Sequence, residues 1–470
     1  MSLGKPVIES EAEIVSSSVK WVARAFLAVL AGSALVAPAR AASEAMLLID
    51  AASGKVLQAE NATVPWHPAS LSKLMTTYVT LQAVRQGRIG FDTLLTVSPA
   101  ASAQTPSKMG FRPGIQVTVD NALKMLLVHS ANDIAWVLAE GIDGSVDKFA
   151  EEMNATSQRL GMTQSNWVNP NGLPDDRQIS SARDMGILAR ALMHDFPEYD
   201  FYWHIPAIKF GKRLMRNYNK LLADYPGADG MKTGFICASG FNLVASATRG
   251  DRRLIAIVLG APSSAVRTVK AATLLERGFN SSMLTWLLPS LGTVDALKPI
   301  NVDPPDLHDT TCGPHRKRPA AEDEDDEAAT TAGDSSDQQR AFMLSDLKDS
   351  QRGSLFTGNP LAAVPPTVVY VGPKRATAVA TAEDEAAVPA AAKPHPKRKA
   401  AATDKAKQAA AKPADAKGGD AKPGDKPADA KPKSSTPKTA QAKPAPAKPA
   451  PAKPAPAQPK AAQPAPPTAQ

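Results

Sequence analysis

Short apolar runs separated by turn signals occur at both ends of the segment from residue 45 to residue 280. Near its start, an apolar run stops at Ser53-Gly54 and then resumes, which predicts a β-hairpin. Near its end, the runs 243–247 and 254–259 flank Arg249-Gly250-Asp251, which predicts a second hairpin of buried strands. The two hairpins indicate an antiparallel sheet.

Amphipathic stretches lie between the hairpins. After Pro68, apolar residues recur on one side of a helical pattern as far as Leu81. Similar stretches predict three further helices, over about Val119–Glu140, Ser181–Met193 and Ser264–Leu275. Helices between two terminal hairpins are typical of an α+β fold, in which an antiparallel sheet packs against helices.

The C-terminal part of the chain has the composition of a tail. Residues 391–470 hold 17 of the 41 prolines, and no Phe, Trp or Tyr follows Tyr370. Their 17 Lys and Arg residues and 5 Asp residues give this segment a net charge of +12. Because the whole chain carries +8, residues 1–390 carry a net charge of −4. We expect a disordered, basic, polyproline-like tail. The mildly acidic remainder excludes a wholly basic nucleic-acid-binding body, and no nucleic acid is expected as a partner.

Beyond Leu297 the chain is expected to lose regular structure. Pro304-Pro305 and blocks of like charge predict a solvated linker, mostly disordered, over residues 298–390. Within it, the apolar run 361–372 predicts one short strand or a docking segment. The catalytic body is therefore expected at residues 42–297. The spaced lysines of the tail predict weak, salt-sensitive adhesion to an anionic membrane or wall surface.

The N-terminus has the pattern of a secretory signal. Lys20 and Arg24 precede the apolar run Ala25–Ala37, and Ala39-Arg40-Ala41 offers the small residues of a cleavage site. The run is too short to cross a bilayer comfortably. Residues 1–41 are therefore predicted to be a signal peptide. The mature protein is expected in the periplasm or cell envelope, peripheral to the inner membrane.

The two cysteines, Cys237 and Cys312, are too few for a disulfide scaffold and form no Cys-x-x-Cys motif. Cys237 is interpreted as a small buried hydrophobe rather than a redox group. The histidines form no His-Glu-x-x-His pattern, so neither a metal nor a cofactor is expected.

One Ser-x-x-Lys pair carries candidate chemistry. Residues three apart on a helix share a face, so Ser70 and Lys73 place a hydroxyl and an amine together. A desolvated lysine can act as a base toward such a serine. The motif alone carries little weight, because five other pairs in the chain satisfy it. Ser70 stands out because it follows Pro68 at the start of an amphipathic helix, where the helix dipole favours developing negative charge.

Two further motifs follow in order. Ser130-Ala131-Asn132 is the only Ser-x-Asn of the chain and lies between helical stretches. Lys232-Thr233-Gly234 is the only Lys-Thr-Gly and leads into the hairpin at 243–259. With Ser70-x-x-Lys73, this order is the signature of serine acyltransferases that recognise penicillin.

The segments around these motifs resemble the D-alanyl-D-alanine carboxypeptidases, which are low-molecular-mass penicillin-binding proteins of the peptidase S11 type. The resemblance covers about residues 45–280 and is carried by the segments 67–79, 180–185, 229–234 and 239–248. It implies a β-lactamase/transpeptidase-like fold, with an antiparallel sheet of about five strands flanked by helices.

By this resemblance, Ser70 is the nucleophile that attacks the penultimate D-Ala carbonyl of a peptidoglycan stem pentapeptide, and Lys73 is its general base. Ser130 would relay a proton to the leaving D-Ala amine. Asn132 would hold the peptide amide and orient Lys73. β-Lactams are then expected as covalent inhibitors.

The third motif is implied to bind the other end of the substrate. Lys232 and Thr233 would bind its terminal carboxylate. Gly234 would let the substrate approach the strand closely. The backbone N–H groups of Ser70 and Phe235 would form the oxyanion hole. Some family members carry His where this chain has Phe235, which leaves the rate and the pH dependence open.

Two related activities remain as alternatives. A D,D-endopeptidase that cuts peptidoglycan cross-links would use the same motifs with a different groove. A class A-like β-lactamase would need a glutamate to activate the deacylating water, and the stretch Asn166–Leu173 has none. A third reading makes the tail the functional part, in a wall- or surface-binding protein with a vestigial catalytic body. A single domain with no interface pattern predicts a monomer.

Overall fold

The computed structural model describes residues 43–280, 291–313, 356–375, 384 and 386–388. All of them belong to the first of the two compact units of the chain, residues 1–395; the second comprises residues 396–470. The predicted signal peptide at 1–41 and the predicted tail at 391–470 lie outside the described residues.

The main sheet has five antiparallel strands in the order β2-β1-β9-β8-β7. Two small sheets accompany it, one of β3 and β4 and one of β10, β5 and β6. The strands are β1 (Ala45–Asp50), β2 (Val56–Glu60), β3 (Leu94–Thr96), β4 (Gln116–Thr118), β5 (Ala207–Phe210), β6 (Arg213–Arg216), β7 (Ala228–Ile236), β8 (Gly240–Arg249), β9 (Arg252–Ala261) and β10 (Thr367–Val368). The antiparallel sheet of about five strands flanked by helices, expected from the sequence, is confirmed.

The described α-helices are α1 (Ser72–Arg85), α2 (Pro99–Ser102), α3 (Val119–Val128), α4 (Asn132–Asp143), α5 (Val146–Leu160), α6 (Ala182–Asp195), α7 (Leu221–Asp224), α8 (Ser264–Phe279) and α9 (His308–Cys312). A single 3-10 turn, Ala69–Leu71, precedes α1. Over the residues that the structure describes, no helix combines the length and apolar character needed to cross a membrane.

The main sheet is buried on both faces because apolar residues predominate at consecutive positions of its central strands. Side chains of a strand point alternately to opposite faces. In β9, one set packs in the larger core, which is shared with α1, α3, α4 and α6, and consists of Ile255, Ile257 and Leu259. The other set packs in the smaller core beneath α8 and consists of Leu254, Ala256 and Val258.

The predicted helix over Val119–Glu140 is wrong in one respect, because it is two helices. α3 ends at Val128 and α4 begins at Asn132. Between them Ser130 has φ 56°, a left-handed conformation that no helix continues through. The break leaves Ser130 between the two helices, whereas Ala131 is the N-cap residue of α4 and Asn132 its first residue.

Parts of the predicted linker pack on the body, which corrects the expectation of a solvated linker for those residues. β10 pairs in parallel with β5, and Val369 N–H donates to the carbonyl of Lys209 at 2.9 Å. Val369, Tyr370 and Val371 are buried. The apolar run 361–372, predicted to be a strand or a docking segment, therefore provides enough apolar surface to fix this part of the chain.

The two cysteines form a disulfide, so the interpretation of Cys237 as a buried hydrophobe is wrong. Cys237 and Cys312 are joined with their Cα atoms 5.5 Å apart. Nearby, Leu307 N–H donates to the carbonyl of Ala238 at 2.9 Å. Together these contacts fix the segment around α9 to the turn that follows β7.

Candidate active site

Ser70 lies on a tight turn at the start of α1. The residue before it, Ala69, has φ 50°, which is unusual for a residue with a side chain. The 3-10 turn continues into α1, so Lys73 lies one turn after Ser70. Lys73 Nζ is 2.9 Å from Ser70 Oγ. The predicted pairing of hydroxyl and amine on one face is present in the structure.

Lys73 is fully buried, and its amine contacts two further oxygens. Nζ is 2.8 Å from Asn132 Oδ1 and 2.6 Å from the carbonyl of Asn171. Both oxygens accept hydrogen bonds, so each holds one N–H of the amine. Nζ also faces Ser70 Oγ. In a neutral amine, a lone pair directed at this oxygen can remove the serine proton.

The Ser-x-Asn motif occupies the break between α3 and α4. Asn132 is tied to a preceding loop, because its Nδ2 donates to the carbonyl of Thr105 at 2.9 Å and its backbone N–H to Ser107 at 2.8 Å. Ser130 is buried, and its Oγ has no hydrogen-bond partner among the described residues. A buried hydroxyl without a partner is unfavourable, so it marks a position reserved for a ligand or for a proton transfer.

The Lys-Thr-Gly motif lies on β7, an edge strand of the main sheet. Lys232 and Thr233 are buried, and Lys232 Nζ donates to the carbonyl of Thr233 at 2.9 Å. A Cβ on Gly234 would lie 3.0 Å from the backbone nitrogen of Ser70. The close approach at Gly234, which the sequence assigned to the substrate, is thus already made by the turn that carries Ser70.

Two side chains that sequence reasoning missed hold this turn against the sheet. Asn242, in the middle of β8, donates from Nδ2 to the carbonyl of His67 at 3.0 Å and accepts from Gly260 N–H at 3.0 Å. Trp66 donates from Nε1 to the carbonyl of Ser239 at 3.0 Å. Asn242 could have been noticed in the sequence, because it is a polar residue at the start of an apolar run.

A third missed feature is the loop that contributes the Asn171 carbonyl. Thr76 Oγ1 donates to the carbonyl of Pro170 at 2.6 Å, and Gln178 Nε2 donates to Ser72 Oγ at 3.0 Å. These bonds place the loop directly over the first turn of α1. No side-chain pattern predicts such a contact, because the group that binds Lys73 is a backbone carbonyl.

We expect Gly172→Ala to impair acylation of Ser70 strongly. Gly172 has φ 81°, and a Cβ there would lie 1.8 Å from the carbonyl oxygen of Ala69. Either the loop or the turn must move, and both position groups of the site. We expect the rate of labelling by a fluorescent penicillin to fall at least about ten-fold, since misplacement of a reacting group by about 1 Å already costs orders of magnitude.

Gly144→Ala is the matched control for this prediction. Gly144 has φ 78°, but a Cβ there would meet nothing within 4 Å. Alanine at position 144 therefore has the same unfavourable positive φ as alanine at position 172, but its Cβ contacts no neighbouring atom. Equal labelling rates for the two variants would contradict the role given to the loop.

A half-buried histidine, His129, lies beside the Ser-x-Asn motif. Burial lowers the pKa of His129 to about 4; the charges of Arg213 and Lys232 act in the same direction, and a hydrogen bond with the Lys108 backbone opposes them. His129 is therefore neutral at neutral pH. On the side of the Lys-Thr-Gly strand, Asn219 donates from Nδ2 to the carbonyl of Gly230 at 2.7 Å.

The predicted site residues thus converge from three elements. Ser70, Lys73 and Asn132 are in direct contact, Ser130 lies in the turn just before Asn132, and the strand that carries Lys232 passes the Ser70 turn at Gly234. The side chain of Phe235 stacks on Phe241, with ring centroids 4.2 Å apart. The oxyanion hole assigned to the backbone N–H groups of Ser70 and Phe235 stays a prediction. Among the described residues, no group of three His, Cys, Asp or Glu is placed to hold a metal ion.

A serine on a tight turn, a buried amine beside its hydroxyl and an edge strand with a Lys-Thr-Gly sequence are features of the serine acyltransferases that recognise penicillin. The profile of the family described as D-alanyl-D-alanine carboxypeptidase, peptidase S11, matches residues 33–263. The chain belongs to this family.

Individual relatives match the same part of the chain. D-alanyl-D-alanine carboxypeptidase DacC of Escherichia coli strain K12 is 39% identical over 266 residues, 55% of this chain and 64% of the relative. DacB2 of Mycobacterium tuberculosis is 32% identical over 246 residues, 50% of this chain and 82% of the relative. The structure of penicillin binding protein 5 from Haemophilus influenzae matches with a TM-score of 0.49 and 37% identity, over 52% of this chain and 72% of that one. The chain spans less than two thirds of the length of the E. coli relative.

Proposed function

We propose that this protein is a serine-type D-Ala-D-Ala carboxypeptidase that removes the terminal D-alanine from peptidoglycan stem pentapeptides. The observation that carries the proposal is the contact of 2.9 Å between Lys73 Nζ and Ser70 Oγ, in an amine that Asn132 Oδ1 and the Asn171 carbonyl also contact. This arrangement aims the base at the nucleophile before any substrate arrives. Membership of the family supplies the substrate class.

The first half-reaction forms an acyl-enzyme. Lys73 takes the proton of Ser70, and Ser70 Oγ attacks the carbonyl carbon of the penultimate D-Ala. The C–N bond to the last residue then breaks as Ser130 passes its hydroxyl proton to the departing amine and takes up the proton that Lys73 removed from Ser70. The N–H groups of Ser70 and Phe235 stabilise the negative oxygen of the tetrahedral intermediate.

The leaving D-alanine is held through its carboxylate. Lys232 supplies a cation and Thr233 a hydroxyl on the edge strand β7, and both act on the group that distinguishes a C-terminal residue from an internal one. An edge strand also offers free backbone groups with which an extended peptide can pair. In the second half-reaction, water attacks the acyl-enzyme and releases the shortened stem peptide.

We expect β-lactams to acylate Ser70 in the same way and to remain attached as a stable acyl-enzyme. The loop over α1 places a backbone carbonyl of Asn171 at Lys73, and the stretch Asn166–Leu173 contains no glutamate. A deacylating water lacks the base that a class A-like β-lactamase gives it. Slow loss of a penicilloyl group is therefore the expected behaviour. An endopeptidase acting on cross-links is the second candidate, because it needs the same three motifs.

Export to the periplasm or cell envelope forms part of the proposal. It is supported by the signal pattern at residues 1–41 and by the Cys237–Cys312 disulfide, because disulfides persist in oxidising compartments. Adhesion of the basic tail to an anionic membrane or wall surface is a separate prediction. Its check is sedimentation with cell envelopes at low salt, which should fall when residues 391–470 are removed.

The function is tested with three substrates and one enzyme preparation. Purified protein is incubated with a peptide ending in D-Ala-D-Ala, with a D,D-cross-linked muropeptide dimer and with penicillin. We expect free D-alanine from the first, little cleavage of the second and a stable adduct with the third. Cleavage of the dimer without release of D-alanine would favour the endopeptidase. Rapid penicillin hydrolysis would favour a β-lactamase, and no reaction with any substrate would contradict an enzymatic role.

A further inference from the structure

The position of Ser130 must be imposed by its surroundings. Its backbone is left-handed, with φ 56°, and its buried Oγ has no hydrogen-bond partner among the described residues. Neither feature is favourable for a serine. The backbone on either side offers little support, because the N-cap residue of α4, Ala131, has no side chain that can cap the helix. Contacts from other elements must therefore hold this turn in place.

A hydrogen-bonded cluster lies beside Ser130. Tyr218 OH is 3.4 Å from His129 Nδ1 and 3.2 Å from Ser107 Oγ. The rings of His129 and Tyr218 also lie with their centroids 5.9 Å apart and tilted by 30°. The Lys108 backbone forms a further hydrogen bond with the imidazole. We call His129, Tyr218 and Ser107, with this backbone group, the His129 cluster.

A neutral imidazole has one donor nitrogen and one acceptor nitrogen, so the direction of the hydrogen bond between Tyr218 OH and Nδ1 follows the tautomer of His129. In the tautomer with the proton on Nε2, Nδ1 receives the proton of Tyr218 OH, and the phenol oxygen accepts from the Ser107 hydroxyl. In either tautomer the phenol oxygen bridges the imidazole and the Ser107 hydroxyl.

The cluster connects the two walls that border the leaving group. On one side, His129 precedes Ser130, and the carbonyl of Ser107 accepts from Asn132 N–H at 2.8 Å. On the other side, the neighbour of Tyr218, Asn219, donates from Nδ2 to the carbonyl of Gly230 at 2.7 Å, two residues before Lys232. The contact between His129 and Tyr218 thus links the Ser-x-Asn turn to the strand that carries Lys232.

We propose that His129 and Tyr218 are positioning residues that set the place of Ser130 relative to Lys232, and thereby the proton transfer from Ser130 to the leaving amine. The inference rests on the proposed function. Lys232 holds the carboxylate of the departing D-alanine, and Ser130 must reach the nitrogen of the same residue. A fixed distance between the two walls is what lets both groups act on one amino acid.

The test compares two leaving groups on otherwise identical peptides. One peptide ends in D-Ala-D-Ala, and its matched depsipeptide ends in D-Ala-D-lactate. Breaking the amide requires protonation of the nitrogen, whereas the lactate oxygen leaves with much less assistance. Selective loss of the amide reaction therefore reports on the proton transfer, while a general loosening of the site lowers both reactions. The values of kcat and KM are measured for both peptides with full-length wild type, Ser130→Ala, Tyr218→Phe and His129→Phe.

We expect Ser130→Ala to show the largest selective loss of kcat on the peptide that ends in D-Ala-D-Ala. Tyr218→Phe and His129→Phe should lower kcat on the amide by about ten-fold or more, within the range of acid–base contributions, and change kcat on the depsipeptide by less than about three-fold. KM should change little. Tyr225→Phe, which removes a buried hydrogen bond of 3.0 Å to Glu276 away from the site, is the matched control and should change neither.

Equal losses on both peptides, or no loss, would overturn the inference while leaving the proposed function intact. Absence of D-alanine release by the wild type would overturn the proposed function itself, and the inference with it. Each variant is checked by thermal unfolding. If His129→Phe does not fold, Tyr218→Phe carries the test, because it removes a single oxygen atom.

Discussion

Replacing Ser70 with alanine is expected to abolish release of D-alanine, with a fall in kcat of about 10⁴-fold or more, as for other covalent serine hydrolases. The physical reason is that Ser70 Oγ lies 2.9 Å from the Lys73 amine and is the oxygen that this base activates. Penicillin should leave no covalent adduct on the variant. The measurement is initial-rate D-alanine release, together with intact mass after exposure to penicillin.

Ser145→Ala is the matched control, because Ser145 and Lys148 also satisfy Ser-x-x-Lys. In the structure Ser145 caps α5, and its Oγ accepts the backbone N–H of Lys148 at 3.2 Å. Its loss should lower the free energy of unfolding by about 1 kcal/mol and leave turnover unchanged. Turnover retained in Ser70→Ala, or lost in Ser145→Ala, would show that the nucleophile is assigned wrongly.

The second large effect concerns stability. Cys312→Ser is expected to lower the free energy of unfolding by about 4 kcal/mol, because the disulfide closes a loop with a sequence separation of 75. In the chain-entropy account, this loss arises from the larger freedom of the unfolded chain. Denaturant unfolding of oxidised wild type and variant measures the difference.

Dithiothreitol provides an internal control for the disulfide. It should reduce the stability of the wild type to that of Cys312→Ser and leave the variant unchanged. A difference below about 1 kcal/mol would mean that the segment around α9 is held by its other contacts, such as the bond from Leu307 N–H to Ala238.

The elements that the sequence predicted best are those with a periodic pattern of apolar side chains. The β1–β2 and β8–β9 hairpins follow from apolar runs that flank turn residues, and α1 follows from its spacing. The grouping of Ser70, Lys73 and Asn132 also followed, because these side chains belong to motifs with a fixed order. Local patterns and short motifs are thus sufficient to predict the main hairpins, the first helix and the residues that meet at the site.

The features that escaped prediction depend on contacts between distant parts of the chain. The Asn171 carbonyl at Lys73 is a backbone group and leaves no trace in side-chain type. The left-handed turn at Ser130 is not signalled by Gly or Asn, the residues that favour it. The pairing of Cys237 with Cys312 depends on how the segment around α9 returns to β7, which two isolated cysteines do not reveal.

The most direct test of the central claim is to identify the residue that penicillin acylates. The purified protein is treated with penicillin, digested and analysed by peptide mass spectrometry. The account predicts a penicilloyl group on Ser70 in the peptide that contains Lys73, persisting for longer than the time needed to release D-alanine from a peptide substrate. An adduct on Ser130 or on another serine, or no adduct under conditions of D-alanine release, would contradict acyl transfer through Ser70.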